Sequence, residues 1–394
     1  MEIEGYLAET AYPPHLPAPF APAWIDHVLR HAGLRPNRGW RGPFRYLDVG
    51  CGAGLHLVAF AAAYPEGQFV GTDANGAAMA RAAAIAAGVD VRNVAFRHET
   101  FAETLAHGEG GYDYMAALGV LSWVSSENRD RVMRIAGRQL APGGAAAFGY
   151  NALPGRAPEL LPQRLMVAEA RRGAGAQTDA IRRVLDRLER LAAAGARGLT
   201  APRIAAMLSA RRDFDPDFLP HEYLSEHWAP LDGGAVVAAA EAEGLRLAGS
   251  LTPLEIRPDF LLRRAEREIV DMAADAAERA RLTDLCIDQA FRRDLFVKAD
   301  GAASGPDGDA LFEERLDAWF LARAAKADVV SALETPAGRL RFDNAAARGI
   351  VAGLQAGPAR LGAIDAPGTA ADRLNALDAL LAPARRPVRR RPPP

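Results

Sequence analysis

The stretch YLDVGCGAGLHL (46–57) constrains the fold more than any other part of the sequence. An apolar run ends in Asp48, and Gly50, Gly52 and Gly54 follow at alternate positions. Glycines at that spacing allow positive φ angles and present a backbone that a ligand can approach closely. A strand that leads through such a turn into a helix is where α/β proteins bind nucleotide ligands. The stretch therefore predicts a strand–loop–helix unit that binds a ligand.

Strand and helix signals alternate between residues 44 and 151. Short apolar runs predict strands buried on both faces, and the segments between them predict helices. Such alternation requires right-handed crossovers and a doubly wound sheet. The predicted strands span 44–50, 68–73, 93–99, 112–124, 145–151, 243–255 and 291–300, and a charged helix is predicted at 262–290. The predicted fold class is α/β: a Rossmann-like, doubly wound, mostly parallel seven-stranded sheet with a helical insertion and a small C-terminal domain.

Changes in composition divide the chain into segments. The alternation stops after Pro154, where an arginine- and alanine-rich stretch with helical spacing begins. The chain ends in proline and arginine, a composition typical of disorder. The predicted segments are an N-terminal cap (1–40), the ligand-binding core (41–156), a helical insertion (157–230), the last strands of the core (231–300), a small C-terminal domain (301–380) and a disordered tail (381–394).

Charge and cysteine content exclude several classes of protein. A formal net charge of -2 argues against binding nucleic acid by bulk electrostatics. Two distant cysteines, Cys51 and Cys286, form neither a disulfide framework nor a zinc cluster and fit a reducing compartment. Signal-peptide features and apolar runs of membrane-spanning length are not found. We therefore expect a cytoplasmic protein without DNA or membrane partners. The oligomeric state stays open, a homodimer included.

The spacing of the glycines indicates which cofactor the loop binds. Dinucleotide folds use G-x-G-x-x-G, which seats a pyrophosphate on the helix N-terminus. Here the spacing is D-x-G-x-G-x-G and Leu55 follows, which suits a cofactor without phosphates, namely S-adenosylmethionine. Ribose hydroxyls are held by a carboxylate about 20 residues past such a loop. Asp73, at the end of the second predicted strand, lies at that distance.

Through these motifs, residues 44–151 resemble the class I S-adenosylmethionine-dependent methyltransferases. The resemblance implies that the residues after the first four strands surround the cofactor. Around its methionine part it places Asp48, Gly50, Gly52 and Gly54; around the ribose and adenosine Asp73, Ala74 and Asn75; around the adenine Glu99, Thr100 and Phe101; and near the sulfonium and methyl group Leu118 and Gly119.

A narrower resemblance extends beyond the core. Five motifs are similar to a bacterial subgroup that carries a methyltransferase regulatory domain and includes rickettsial-type protein-lysine methyltransferases. They are GVLSWV (119–124), LAPGG (140–144), YNALPG (150–155), HEYLSEHW (221–228) and FRRDLFV (291–297). The resemblance implies that the C-terminal domain is of regulatory type. The chain differs from the subgroup at Leu118, Leu121 and Arg156, positions that would lie near the methyl acceptor.

The candidates for binding the acceptor come from segments near the carboxyl ends of the strands. An amine acceptor must lose a proton before it can attack a methyl group, so groups that orient it are expected nearby. The sequence commits to no general base. Candidates for orienting the acceptor are Tyr150, Asn151, Tyr12 and His221, and Trp123, Tyr150 and Tyr223 are expected to line its pocket. No metal site is predicted, because His221 and His227 are six residues apart, a poor spacing for one helix face.

Three functions remain open from the sequence. The leading hypothesis is in-line methyl transfer to an amine of a protein, with lysine as the expected residue. A second is methylation of a small molecule beneath a lid. A third is a non-catalytic sensor of S-adenosylmethionine. The sequence argues against DNA adenine methylation, because ALGVLSW (117–123) stands where such enzymes carry an N-P-P-Y-type motif.

Overall fold

The computed structural model describes residues 2–3, 6–7, 16–173, 177–210, 219–300, 314–316, 319–320, 332–341 and 344–381. Tyr12, the stretch 301–309 and all but the first residue of the predicted tail lie outside the described residues, and so does the side chain of His221. The predictions made for them, and the predicted boundaries of the segments, stay predictions.

A seven-stranded sheet forms the centre of the protein. The strands are β1 (Glu2–Ile3), β2 (Tyr6–Leu7), β3 (Phe44–Val49), β4 (Gly67–Asp73), β5 (Val94–His98), β6 (Tyr112–Leu118), β7 (Leu140–Asn151), β8 (Leu245–Ser250), β9 (Phe291–Lys298), β10 (Trp319–Phe320), β11 (Ala332–Thr335), β12 (Gly338–Arg341) and β13 (Ala359–Arg360). The order in the central sheet is β5-β4-β3-β6-β7-β9-β8, with β9 antiparallel to both of its neighbours and the other pairs parallel. The predicted mostly parallel seven-stranded sheet is confirmed.

Because β3 to β7 run in one direction, their last residues meet at one edge of the sheet. These residues are Val49, Asp73, His98, Leu118 and Asn151, and we call this edge the carboxyl edge. Ligands of open α/β sheets bind in the crevice outside the carboxyl ends of the strands. The predicted cofactor residues therefore lie where such a fold binds a ligand.

Helices flank the sheet and fill the segments beyond it. They are α1 (Pro22–His31), α2 (Leu55–Ala63), α3 (Gly76–Gly88), α4 (Phe101–His107), α5 (Ser126–Gln139), α6 (Leu160–Arg172), α7 (Gln177–Ala193), α8 (Pro202–Ala210), α9 (Leu219–Tyr223), α10 (Gly233–Ala242), α11 (Pro258–Leu261), α12 (Arg264–Val270), α13 (Ala276–Ile287), α14 (Ala345–Ala356) and α15 (Ala370–Leu381).

Several elements differ from their predicted extent. The strand predicted at 145–151 already begins at Leu140, and the strand predicted at 243–255 spans only Leu245–Ser250. The strand predicted at 112–124 ends at Leu118, because Gly119 adopts a φ of +68° and turns the chain. The charged helix predicted at 262–290 is two helices, α12 and α13. The second begins afresh because the side chain of Asp275 accepts a hydrogen bond from the backbone N–H of Glu278 at 2.7 Å, which caps its first turn.

Helices cover both faces of the sheet, as a parallel sheet requires. On the face that we call the α5 face, α5, α10 and α13 pack against side chains that include Phe148, Tyr150 and Phe296. On the opposite face, the α1 face, α1 and α2 pack against Tyr46 and Leu295. Successive side chains of a strand point to opposite faces. Tyr150 belongs to the α5 face, so its neighbour Asn151 belongs to the α1 face.

The helical insertion has a core of its own. Met166, Ile181, Leu188, Ile204 and Tyr223 are buried together between α6, α7, α8 and α9. Arg156 lies where the core meets this insertion, and its guanidinium pairs with Glu159 and, at 3.2 Å, with Glu222. Arg156, one of the three positions at which the sequence differs from the subgroup that it resembles, is therefore part of a partly buried ion-pair network.

The C-terminal helices α14 and α15 pack together and dock on the core through Asp378 of α15. This carboxylate is buried and lies 3.3 Å from His31 of α1, 3.4 Å from Arg257 and 2.8 Å from Arg315. Burial acts to raise the pKa of Asp378, but the contacts with His31 and Arg315 outweigh it and lower that pKa. The docking surface is thus centred on an ionised acid among basic groups.

Candidate functional site

The loop after β3 carries three glycines with left-handed backbone angles, at φ values of +73°, +56° and +64° for Gly50, Gly52 and Gly54. A Cβ on Gly50 would lie 2.6 Å from Val120, and one on Gly54 would lie 2.4 Å from Phe96. A Cβ on Gly52 would meet nothing within 4 Å. Packing therefore excludes side chains at the outer two positions, whereas Gly52 leaves space open beside its backbone.

The turn after β6 repeats this feature. Gly119 has a φ of +68°, and a Cβ there would meet nothing within 4 Å. Its backbone N–H donates to the carbonyl of Gly149 in β7 at 2.9 Å, so the turn is anchored to the next strand. Gly52 and Gly119 give the carboxyl edge two stretches of bare, open backbone on neighbouring strands. A ligand can lie directly against such backbone.

Asp73 holds the glycine loop in place from the end of β4. Its Oδ2 accepts a hydrogen bond from the backbone N–H of Gly52, and its Oδ1 accepts one from Asn75, each at 2.9 Å. Burial raises the pKa of this carboxyl group. Each carboxylate oxygen has more than one acceptor direction. Asp73 can therefore fix the loop and still accept hydrogen bonds from ligand hydroxyls.

Asp48 is paired with His56, which was not predicted as a site residue. The carboxylate is buried at the end of β3, and its Oδ2 lies 2.5 Å from Nε2 of His56 in the first turn of α2. The pair closes the base of the loop, because it joins the strand before the glycines to the helix after them. In the sequence, the pair is indicated only by a histidine in the first helical turn after a glycine loop that follows an aspartate.

Two of the residues predicted to lie around the adenosine, Asn75 and Thr100, cap helices. The side chain of Asn75 accepts from the N–H of Ala78 at 3.0 Å, and Thr100 caps α4. Glu99 contacts Thr104 at 3.2 Å and His107 at 3.3 Å. These bonds set the course of the loops after β4 and β5. Ala74 lies in the loop after β4, and Phe101 is the first residue of α4. Contact of all five residues with adenosine stays a prediction.

The candidates for the acceptor side divide between the two faces of the sheet. Tyr150 is fully buried on the α5 face and donates to Oδ2 of Asp294 at 2.5 Å. Burial raises the pKa of Tyr150 well above its ordinary value. Asp294 is paired in turn with Arg292, which also contacts Asp284 at 2.5 Å. The Tyr150 hydroxyl is therefore already hydrogen-bonded within a polar network on the α5 face of the sheet.

Other acceptor candidates lie at different depths. Asn151 is fully buried on the α1 face, and its backbone N–H donates to Oγ of Ser122 at 2.9 Å. Trp123, in the turn after β6, is partly exposed. Tyr223 is buried in the core of the helical insertion. The structure thus brings Asn151 and Trp123 close to the turn at Gly119, and it holds Tyr223 among the helices of the insertion.

The described residues contain neither a group of possible metal ligands nor a membrane-spanning helix. Among them, no three histidine, cysteine, aspartate or glutamate side chains are grouped so that they could bind a metal ion. No helix in this part of the chain has both the length and the apolar character needed to cross a bilayer.

Known proteins match both the core and the segment that runs from the end of the insertion through the last strands. Residues 47–144 match the model of a methyltransferase domain, and residues 215–298 match that of a predicted methyltransferase regulatory domain. An uncharacterized protein of Synechocystis is 26% identical over 91% of this chain and 70% of its own length. An uncharacterized protein of Rickettsia prowazekii is 31% identical over 37% of this chain and 58% of its own.

The fold is also similar to a solved structure, PKMT2 from Rickettsia typhi in complex with AdoHcy. The TM-score is 0.63 at 22% identity, with 78% of this chain and 58% of that chain covered. Residues 47–144 therefore match a methyltransferase domain, and the fold around them agrees with the class I fold that the sequence predicted. The two matches place a predicted methyltransferase regulatory domain after the methyltransferase domain, which is the order of the subgroup that the motifs resemble. The predicted cofactor, S-adenosylmethionine, is the one that this class uses.

Proposed function

We propose that this protein transfers a methyl group from S-adenosylmethionine to an amine, with a lysine side chain of another protein as the acceptor. The observation that carries the proposal is the open backbone at Gly52 and Gly119, flanked by Asp48 and Asp73 on adjacent strands. A cofactor that is a nucleoside joined to an aminoacyl chain needs bare backbone for the chain and a carboxylate for the ribose. The carboxyl edge offers both, since it combines open glycine backbone with the carboxylates of Asp48 and Asp73.

We assign the cofactor contacts by chemistry. Gly50, Gly52 and Gly54 shape the loop against the methionine part, and Asp73 accepts from the ribose hydroxyls. When bound, S-adenosylmethionine supplies a methyl group activated by its positively charged sulfur. Asp48 and Asp73 place negative charge at the base of the loop, which favours a cationic ligand. The turn at Gly119 leaves the space in which donor and acceptor would meet.

The protein's contribution to the rate is positioning and exclusion of water. Methyl transfer from a sulfonium is an in-line displacement with a good leaving group, so holding the nucleophile close and aligned provides most of the acceleration. The acceptor amine must be neutral, because an ammonium has no lone pair. It loses its proton before transfer, to solvent or to a nearby side chain.

Support for a protein acceptor comes from the subgroup. The motifs resemble those of rickettsial-type protein-lysine methyltransferases, and the similar R. typhi structure is PKMT2 with AdoHcy. The chain spans 58% of the length of that structure, so the proposal concerns the part that the two share.

The test is a labelling assay with fractionation. The protein is incubated with methyl-labelled S-adenosylmethionine and a bacterial lysate, and label is counted in protein bands and in the small-molecule fraction. We expect discrete protein bands whose label withstands mild base, as an N-methyl group does and a methyl ester does not. Label confined to small molecules would favour a metabolite acceptor. Binding of adenosylhomocysteine without any transfer would favour a sensor.

A further inference from the structure

Asn151 carries a buried amide without partners. The residue ends β7, its exposed fraction is 0%, and neither Oδ1 nor Nδ2 has a hydrogen-bond partner. Buried polar side chains in native proteins are nearly always paired. Within the described part of the chain, no other side chain has two buried polar atoms unpaired. A polar group that enters from outside the chain can satisfy such an amide.

The backbone around Asn151 fixes its place at the carboxyl edge. Its N–H donates to Oγ of Ser122 at 2.9 Å, and its carbonyl accepts from the N–H of Leu231 at 2.8 Å. Ser122 lies in the turn that begins at Gly119, where the backbone is open. Asn151 is therefore held beside the turn at which we propose that donor and acceptor meet. Its neighbour Tyr150 points to the opposite face and is already bonded to Asp294.

A second unpaired group lies on the same face. Asn151 is paired across the sheet with Phe291, and Gly149 with Arg293, so their side chains share the α1 face. The Arg293 guanidinium lies 4.6 Å from the centre of the Phe291 ring, and its Nη1 is buried without a hydrogen-bond partner. A permanent positive charge is thus stacked on the aromatic neighbour of the unpaired amide. A nearby positive charge disfavours protonation of an amine.

We propose that Asn151 binds the nucleophilic amine of the acceptor, and that Arg293 keeps this amine neutral; the proposal rests on the proposed function. Oδ1 of Asn151 accepts one N–H of a primary amine and so orients its lone pair. That lone pair forms the new N–C bond as the C–S bond breaks and its electron pair goes to sulfur. The N-methylammonium product then gives a proton to solvent. The ligand class is a primary alkyl amine.

The test compares Asn151→Leu with the wild type and with Gln139→Leu. Leucine is close to asparagine in size and has no polar side-chain atoms. Gln139 is a matched control because its buried amide is satisfied, with Nε2 donating to the carbonyl of Thr104 at 2.6 Å. The probes are poly-L-lysine and the protein fraction of a lysate as acceptors, and adenosylhomocysteine as the cofactor-site ligand.

For Asn151→Leu we expect methyl transfer to fall about 100-fold, since a misplaced nucleophile costs that much. Affinity for adenosylhomocysteine stays within about twofold, because the amide does not hold the cofactor. The melting temperature stays level or rises, because an unpaired buried polar group has been removed. Gln139→Leu shows the reverse: a lowered melting temperature and full transfer activity in the folded protein.

A second variant tests the role of charge. Removing the positive charge with Arg293→Met should move the rising limb of the pH–rate profile to higher pH, and Asn151→Asp should move it in the same direction. A purely structural role would leave the profile in place.

Wild-type transfer by Asn151→Leu would overturn the proposal, as would equal losses of transfer and of adenosylhomocysteine binding. If the wild type labels neither probe, the proposed function fails and this inference fails with it.

Discussion

Gly52→Ala separates binding of the cofactor from stability of the fold. The position has a φ of +56°, and the added Cβ meets nothing within 4 Å. The substitution should therefore lower the free energy of unfolding only by the cost of a left-handed alanine, about 1–2 kcal/mol. The methyl group would stand in the space assigned to the methionine part of the cofactor. Crowding of about 1–3 kcal/mol corresponds to binding about 5- to 150-fold weaker.

Two other glycines of the same chain serve as matched controls. Gly33 has a φ of +75° and also leaves open space, but it lies just beyond α1, away from the loop, so Gly33→Ala should show the stability loss alone. In Gly54→Ala the Cβ would lie 2.4 Å from Phe96. Its unfolding free energy should fall by about 2–5 kcal/mol, from backbone strain and overpacking together.

The assay is titration calorimetry with adenosylhomocysteine, paired with denaturant unfolding of each variant. The affinity of Gly52→Ala for adenosylhomocysteine should fall well below that of Gly33→Ala, although the two variants lose similar stability. Equal affinities in these two variants would refute the assignment of the open backbone at Gly52 to the cofactor.

Asp73→Ala should weaken adenosylhomocysteine binding at least about tenfold, because it removes the ribose acceptor and the carboxylate that bonds the loop; unchanged affinity in a folded variant would contradict the ribose assignment. Asp378→Ala should destabilise docking of α15 by about 3–5 kcal/mol, because the partly buried His31 and Arg315 lose their buried carboxylate partner. Hydrogen exchange in α15 measures this, with Glu314→Ala as the more exposed control, expected within about 1 kcal/mol. Because the pKa of Asp378 is lowered in the folded protein, its contribution is present above the ordinary pKa of an aspartate and is lost as pH falls through the folded value. Docking that is unaffected by acid would contradict this.

Local patterns were sufficient to predict the glycine loop and the acid at the end of β4. Each depends on residues that are close in sequence, so alternating glycines and strand-ending acids indicate the geometry directly. The end of β6 was harder to predict, since the apolar run continues through residues 119–124 while the chain has already turned at Gly119. Hydrophobicity reports burial, and a buried turn gives the same signal as a buried strand.

The roles of Tyr150 and Asn151 show why site residues resist prediction. They are adjacent in sequence, and both were expected to orient the acceptor. The pleat places them on opposite faces, where Tyr150 meets Asp294 and Asn151 meets no polar partner. That difference depends on β9 pairing with β7 over a long separation in sequence, which no local pattern encodes. The Asp48–His56 pair was missed for a related reason, because the two side chains meet only through the path that the glycine loop takes between β3 and α2.

The segment that matches a regulatory domain supplies β8 and β9, and β9 is hydrogen-bonded along the length of β7 from Ala145 to Asn151. A chain cut before residue 215 would leave the alanine-rich strand β7 with a bare row of amides and carbonyls, a template for self-association. The name of that segment suggests a detachable accessory, yet its two strands take the last two positions of the central sheet that also carries the glycine loop.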